Sequence, residues 1–320
     1  MASDQRQEPP SRGRSRSWLL LRLLTVFLVG TSLFYVVRQF QAGSAEVDWS
    51  ALRLKPVPFV TAMLLFGLSP LNVGMVWALL LMSMGARIRV RDAVWQQLLS
   101  VLVKYAPGGP WQLIGKAYIS SRNGISRETS GSAVAVEAFA WLATGFLISV
   151  VLVPNEDMIP APLVFLHGYR LPIACVMGAG LVTLPWVARA ARHLPRGLGR
   201  VPRVEPAAFW GACLLMVFHW LLIGYGLALL STSIYGGDAL TLGESVYAFA
   251  ISTTIGLVVF VVPGGFGIRE GVLAWTLGQT MAISAASLIA VSARIGIVLT
   301  EFLCLGFALI VRRLRDRVNR

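Results

Sequence analysis

The stretch AVWQQLLSVLVKYAPGGPWQLIGKAYI (93–119) is apolar almost throughout and is cut near its middle by Pro-Gly-Gly. Each arm has about 13 residues, or about 20 Å of helix at 1.5 Å per residue. The hydrocarbon core of a bilayer is about 30 Å thick. Neither arm can cross it upright, so the segment predicts a re-entrant hairpin that enters and leaves on one side. A second stretch, VVPGGFGIREG (261–271), repeats Pro-Gly-Gly inside the apolar region 245–281. Its first arm, 245–262, is long enough to be read either as a hairpin arm or as a span.

The remainder of the 320-residue chain sets the class. Apolar residues make up 56 % and charged residues 13 %. Six runs reach the length of a membrane span: 18–37, 57–82, 131–153, 171–188, 206–230 and 283–311. The expected architecture is an all-α integral membrane protein of about six full transmembrane helices plus two opposed re-entrant broken-helix hairpins, 93–119 and 245–281. Residues 1–17 and 312–320 form basic tails around one transmembrane domain, 18–311. The run 18–37 follows Arg6, Arg12, Arg14 and Arg16 and is longer than a signal-peptide core, which favours an uncleaved anchor over cleavage at AGSA (42–45).

The net charge of +13 (28 basic against 15 acidic residues) is concentrated in short loops. With the N-terminus inside and both broken regions re-entrant, the inside segments hold 19 basic residues and the outside segments four. That ratio obeys the positive-inside rule and predicts both termini in the cytoplasm, a plasma or inner membrane location and no nucleic-acid partner. It also puts the first hairpin on the inside and the second on the outside. Trp49, in the hydrophilic stretch 45–56, suits an interfacial anchor. Cys175, Cys213 and Cys304 lie in apolar runs without CxxC spacing, so neither a disulfide framework nor a metal site is expected. No cofactor motif is present.

Pro107-Gly108-Gly109 and Pro263-Gly264-Gly265 lie 156 residues apart, close to half the chain. Hairpins in two opposed halves are what an inverted repeat leaves in sequence. Non-helical backbone at membrane depth survives where protein buries it or where it lines a watery cavity. The arm after each break then starts at depth, with unpaired N–H groups and about half a positive charge at its tip. Such a tip attracts anions. Lys116 and Arg269 add full charges nearby, Gly267 helps to shape the second turn, and Glu270 is placed to partner Arg269 or another base.

Other charges lie inside apolar segments. Glu137 sits in 131–153; Arg294 and Glu301, seven apart, share a face of 283–311. A charge at a helix centre costs roughly 2.5–3.5 kcal/mol on insertion scales, and such residues face the bundle interior. They read either as binding groups or as structural pairs, Arg294 with Glu301 and Glu137 with Lys116. Arg22 and Lys104 read as snorkelling residues, and His219 as a hydrogen-bonding packing residue. The run GSAVAVEAFA reads as close helix packing. No GxxxxGK[ST], HExxH or GxSxG motif occurs.

KYAPGGPWQLIGKAYI (104–119) and VVPGGFGIREG (261–271) resemble the two signatures of the lysylphosphatidylglycerol synthase transmembrane-region family. This is the flippase-like half of the bacterial multiple peptide resistance factor, also found as stand-alone membrane proteins. The likeness spans nearly the whole chain. Where the family's first motif often ends in Gly-Arg, this chain has Gly115-Lys116, and Pro110 departs from the commoner residue. Arg294 matches a basic position in the last helix.

The resemblance implies movement of an anionic or aminoacylated phospholipid, or of a polyprenyl-linked or glycolipid, between leaflets. With the chain ending at Arg320, lysine transfer by a following soluble domain is not expected. The expected binding residues are Lys116, Arg269, Arg294, Glu137, Glu270, Glu301 and Trp111, with Pro107, Gly108, Gly109, Pro263, Gly264, Gly265 and Gly267 shaping the backbone. Membrane lipids are the expected partners, together with a second copy of the chain or a lipid-biosynthetic enzyme. The alternative is a membrane-embedded enzyme or accessory subunit acting on lipid-linked sugars; a scaffold for a partner enzyme is a third reading.

Overall fold

The computed structural model describes residues 54–104, 111–154, 158–159, 168–190, 203–235, 240–259 and 267–318. Among these residues the structure is all helix. The helices are α1 (Pro56–Ser83), α2 (Val90–Lys104), α3 (Trp111–Arg122), α4 (Arg127–Val151), α5 (Arg170–Ala190), α6 (Pro206–Tyr235), α7 (Leu242–Val258), α8 (Ile268–Leu277) and α9 (Ile283–Val318). The expected span 18–37 and both Pro-Gly-Gly turns, Pro107, Gly108, Gly109, Pro263, Gly264 and Gly265, lie outside the described residues.

Five helices, α1, α4, α5, α6 and α9, are long and apolar enough to cross a membrane. They correspond to the other five expected spans. α9 runs seven residues past the expected boundary at 311, carrying Arg312, Arg313 and Arg315 in its last turns. Cations there suit the negative end of the helix dipole, and the Arg312 guanidinium lies 4.8 Å over the Trp95 ring of α2. Many large apolar side chains are exposed on these helices, among them Leu64, Leu214, Leu303 and Phe307. A surface of that kind needs an apolar solvent.

α1 and α6 form the centre. Each buries 56 % of its most apolar window, against 22 % for α5, which packs on α4 at the periphery. The two run antiparallel. The Lys55 N–H, just before α1, donates to the Ser233 carbonyl near the end of α6 (3.0 Å); the Glu205 N–H, just before α6, donates to the Ser83 carbonyl at the end of α1 (2.7 Å). Each helix thereby gives one orphan carbonyl of the other a partner. Donors and acceptors are both 150 residues apart.

The same exchange holds for the principal packings. α2 lies on α3 as α7 lies on α8; α3 packs on α4 as α8 on α9; α1 packs on α2 as α6 on α7. Across the halves, α1–α9 is matched by α4–α6, and α2–α9 by α4–α7. Small residues allow the close approaches. A Cβ on Gly74 would run into Val94 of α2, and one on Gly224 into Val246 of α7.

The broken segments 93–119 and 245–281 appear as pairs of short helices. α2 and α3 have 15 and 12 residues; α7 and α8 have 17 and 10. At 1.5 Å per residue the longest is about 26 Å, short of a core of about 30 Å. Ile88 before α2 and Ile125 after α3 join one apolar cluster with Met84 and Val204. Leu240 before α7 and Met281 after α8 join a second, with Ile234 and Phe59. The first pair thus begins and ends beside the end of α1 and the start of α6, the second beside the start of α1 and the end of α6. Gly124 closes α3 at φ +85°, a conformation that disfavours a side chain. Ser126 then caps α4 by accepting from the Thr129 N–H, and Thr241 and Glu244 form a capping box on α7.

Candidate functional site

A cavity of about 300 Å³ lies between the two short-helix pairs, bounded also by α1, α4, α6 and α9. Its wall includes Lys104 from the end of α2, Lys116 from α3, Glu137 from α4, Arg269 and Glu270 from the first turn of α8, and Arg294 and Glu301 from α9. Six of these are the charged residues expected at the site; Lys104 is the seventh. Between Glu137 and Glu301 the sequence separation is 164 residues, so only the fold brings them together.

The charges are paired across helices. Lys116 Nζ donates to both oxygens of Glu137, at 2.6 and 2.9 Å, and both side chains are 3 % exposed. The ammonium also lies 4.6 Å from the centre of the Trp77 ring, a cation–π contact. The Trp77 ring is held in turn by the Gln96 side-chain oxygen, which accepts from Trp77 Nε1 (3.1 Å) and from Ser120 Oγ (2.6 Å). The second pair joins Arg294 to Glu270 at 3.1 Å. It links α9 to α8, as Lys116–Glu137 links α4 to α3. The polarity is reversed: in one half the short helix carries the base, in the other it carries the acid.

The third pair is Lys104–Glu301, at 2.6 Å between α2 and α9. Two expectations are corrected here. Glu301 does not pair with Arg294 one face along α9, because Lys104 reaches it from α2 and Glu270 reaches Arg294 from α8. Lys104 does not snorkel; its side chain is 13 % exposed and points into the cavity. The expected pair Glu137–Lys116 is present.

The tip of α8 also differs from expectation. Gly267 takes φ +80°, a conformation that glycine adopts without steric cost, and its N–H donates to Glu270 Oε2. An internal carboxylate therefore occupies a helix end that the sequence offered to an external anion. Glu270 serves both its own helix and Arg294. The stem of Arg269 lies against Gly256 of α7, where a Cβ would run into its Cγ and Cδ. Trp111 is the first residue of α3, and its side chain lies outside the described set.

One wall is aromatic. Trp141 packs edge-on against His219 (ring centroids 4.9 Å apart) and Trp220 (5.5 Å), and Trp220 tilts toward Phe249 (6.3 Å). All four line the cavity. Trp220 Nε1 donates to Thr144 Oγ1, whereas His219 Nδ1 is buried without a hydrogen-bond partner. Gln97 and Gln112 add polar lining that the sequence reading did not single out. Two adjacent glutamines inside an apolar arm, Gln96 and Gln97, were the available signal. Among the described residues no group of His, Cys, Asp and Glu side chains could hold a metal ion.

The family model for the lysylphosphatidylglycerol synthase TM region matches residues 19–307. The chain belongs to this family. The match runs from inside the first apolar stretch nearly to the end of α9 and includes every residue of the cavity wall. Among curated proteins no significant match is found. As a member of the lysylphosphatidylglycerol synthase TM-region family, the chain is a multi-pass membrane protein, and its ionisable cluster lies inside the family's conserved region of match.

Proposed function

We propose that the protein is a lipid translocase, moving an anionic or aminoacylated phospholipid, or a polyprenyl-linked or glycolipid, between leaflets through its intramembrane cavity. One observation supports this above the rest: seven ionisable side chains from five helices line one cavity in a bundle with an apolar exterior. Burying charges costs several kcal/mol each unless they are paired, and paired charges at membrane depth mark substrate pathways. In this reading the bases hold a headgroup phosphate, the carboxylates balance them, and the acyl chains stay in lipid.

The packing pattern fits the mechanism. The two halves form an inverted repeat about the antiparallel α1–α6 pair, and α2–α3 and α7–α8 are re-entrant hairpins from opposite faces. Such halves can rock about a fixed midplane site, opening it to one leaflet and then the other. No nucleotide-binding motif is present in the sequence, so transport runs downhill or is coupled to an ion.

The test is leaflet exchange of fluorescent phosphatidylglycerol and phosphatidylcholine in proteoliposomes of the purified full chain. Exchange of the anionic lipid at least tenfold above protein-free vesicles, reduced in Arg269→Ala, is expected. Protein-free rates with well-folded protein overturn the reading.

A further inference from the structure

Within the cavity the charges separate into two groups with different balances. Lys116 and Glu137 form a closed neutral pair: two hydrogen bonds, 3 % exposure on each side, and the Trp77 face over the ammonium. The other group is Lys104, Arg269 and Arg294 with Glu270 and Glu301. Lys104 meets Glu301 through one oxygen at 2.6 Å, with 13 % and 10 % exposure, and lies within the electrostatic reach of both Arg269 and Arg294. Three bases face two acids, and the adjoining turns 105–110 and 260–266 contain no acidic or basic residue. The group carries one excess positive charge at low dielectric. A buried net charge is costly unless a counter-charge joins it.

On the basis of the translocase reading, we propose that Lys104, Arg269 and Arg294 form a site for a single, singly charged lipid phosphodiester. Glu301 is the internal competitor for Lys104, and Lys116–Glu137 is a strut that takes no part in binding. One monoanion brings the group to neutrality, whereas a zwitterionic headgroup adds no net charge. The bases come from both sides of the cavity. Lys104 ends α2, the last residue before the first Pro-Gly-Gly turn; Arg269 opens α8, just after the second; Arg294 is on α9. Charge-assisted hydrogen bonds from guanidinium and ammonium groups to phosphate oxygens are short and strong. His219 Nδ1, buried without a partner on the same wall, is a further polar contact. As the phosphodiester enters, Lys104 exchanges the Glu301 oxygen for a phosphate oxygen.

The experiment measures thermal protection of the full chain in detergent by dioctanoyl phosphatidylglycerol, dioctanoyl phosphatidylcholine and dimethyl phosphate. Phosphatidylglycerol should bind at least tenfold more tightly than either of the others. Lys104→Met and Arg269→Met should each weaken it about tenfold without changing phosphatidylcholine, and Lys104→Arg should restore it. Glu301→Gln should tighten it several-fold, an effect that a purely structural role would not give. Lys116→Met should leave it within twofold in the folded fraction. Unchanged affinity in Lys104→Met, weakened affinity in Glu301→Gln, or a loss confined to Lys116→Met overturns the site. Dimethyl phosphate binding as tightly as phosphatidylglycerol overturns the lipid assignment. This binding pattern without leaflet exchange removes the translocase reading alone. Exchange with an anionic preference that Lys104→Met leaves intact removes this site alone.

Discussion

Gly74 abuts Val94 so closely that a Cβ on the glycine would lie 2.6 Å from the Val94 Cα. Gly224 stands in the same relation to Val246, 150 residues on, with the valine Cα again 2.6 Å from the added carbon. The neighbouring atom is backbone in both cases, so a rotamer change cannot relieve it. Gly74→Ala and Gly224→Ala should each destabilise by about 1–3 kcal/mol through overpacking. Gly306→Ala, on α9 with nothing within 4 Å of the added carbon, should be neutral or stabilising by up to about 1 kcal/mol. Melting in detergent separates the three. Equal melting temperatures would show that the helices part without cost.

Gly256 seats the stem of Arg269. Gly256→Ala should push that side chain out of its groove and lower phosphatidylglycerol protection in the same direction as Arg269→Met, while the melting temperature of the lipid-free protein changes less. A variant that melts early yet binds the lipid normally would place the contact outside the site's function.

Lys116 and Glu137 are the most enclosed of the printed ion pairs. Removing one partner of a buried pair costs about 3–5 kcal/mol, because a lone charge is left behind. Lys116→Met alone should therefore lower stability sharply. Lys116→Met combined with Glu137→Leu should recover most of it. Additive losses in the double variant would contradict the strut.

Glu205 links stability to pH. Its carboxylate accepts the N–H groups of Ala208 (2.8 Å) and Ala207 (3.1 Å) at the start of α6, outside the apolar span. Those bonds hold its pKa below the ordinary carboxylate value. A depressed pKa means that the stabilisation is complete above the unfolded value. It fades as pH falls through the folded one. Glu205→Ala should melt below wild type at pH 7, and the gap should close in acid. A gap that is constant with pH would assign the loss to something other than this cap.

The hairpin reading predicts sidedness. In a cysteine-free background, Arg89→Cys and Asn123→Cys flank α2–α3, while Leu242→Cys and Gln279→Cys flank α7–α8. A membrane-impermeant thiol reagent should label each pair from one side, and the two pairs from opposite sides. Labelling of Arg89→Cys and Asn123→Cys from different sides would mean that the segment crosses fully.

The membrane class, the positions of five long helices and the two interruptions at Pro-Gly-Gly could be read directly from the chain. Hydropathy, proline and glycine act locally, over one or a few helical turns, so a one-dimensional pattern carries them. The six expected charged residues were legible for the same reason, since an ionisable group in an apolar run stands out wherever the run ends up. Their partners were not. Lys104 and Glu301 are 197 residues apart, and Arg294 turns from Glu301 on its own helix to Glu270 on another. Which base meets which acid depends on distances between helices, and those are set by how Gly74, Gly224 and Gly256 let neighbours approach. Sequence determined which residues had to be buried with a partner; tertiary packing decided the partner, because Coulomb attraction at low dielectric acts through space and not along the chain.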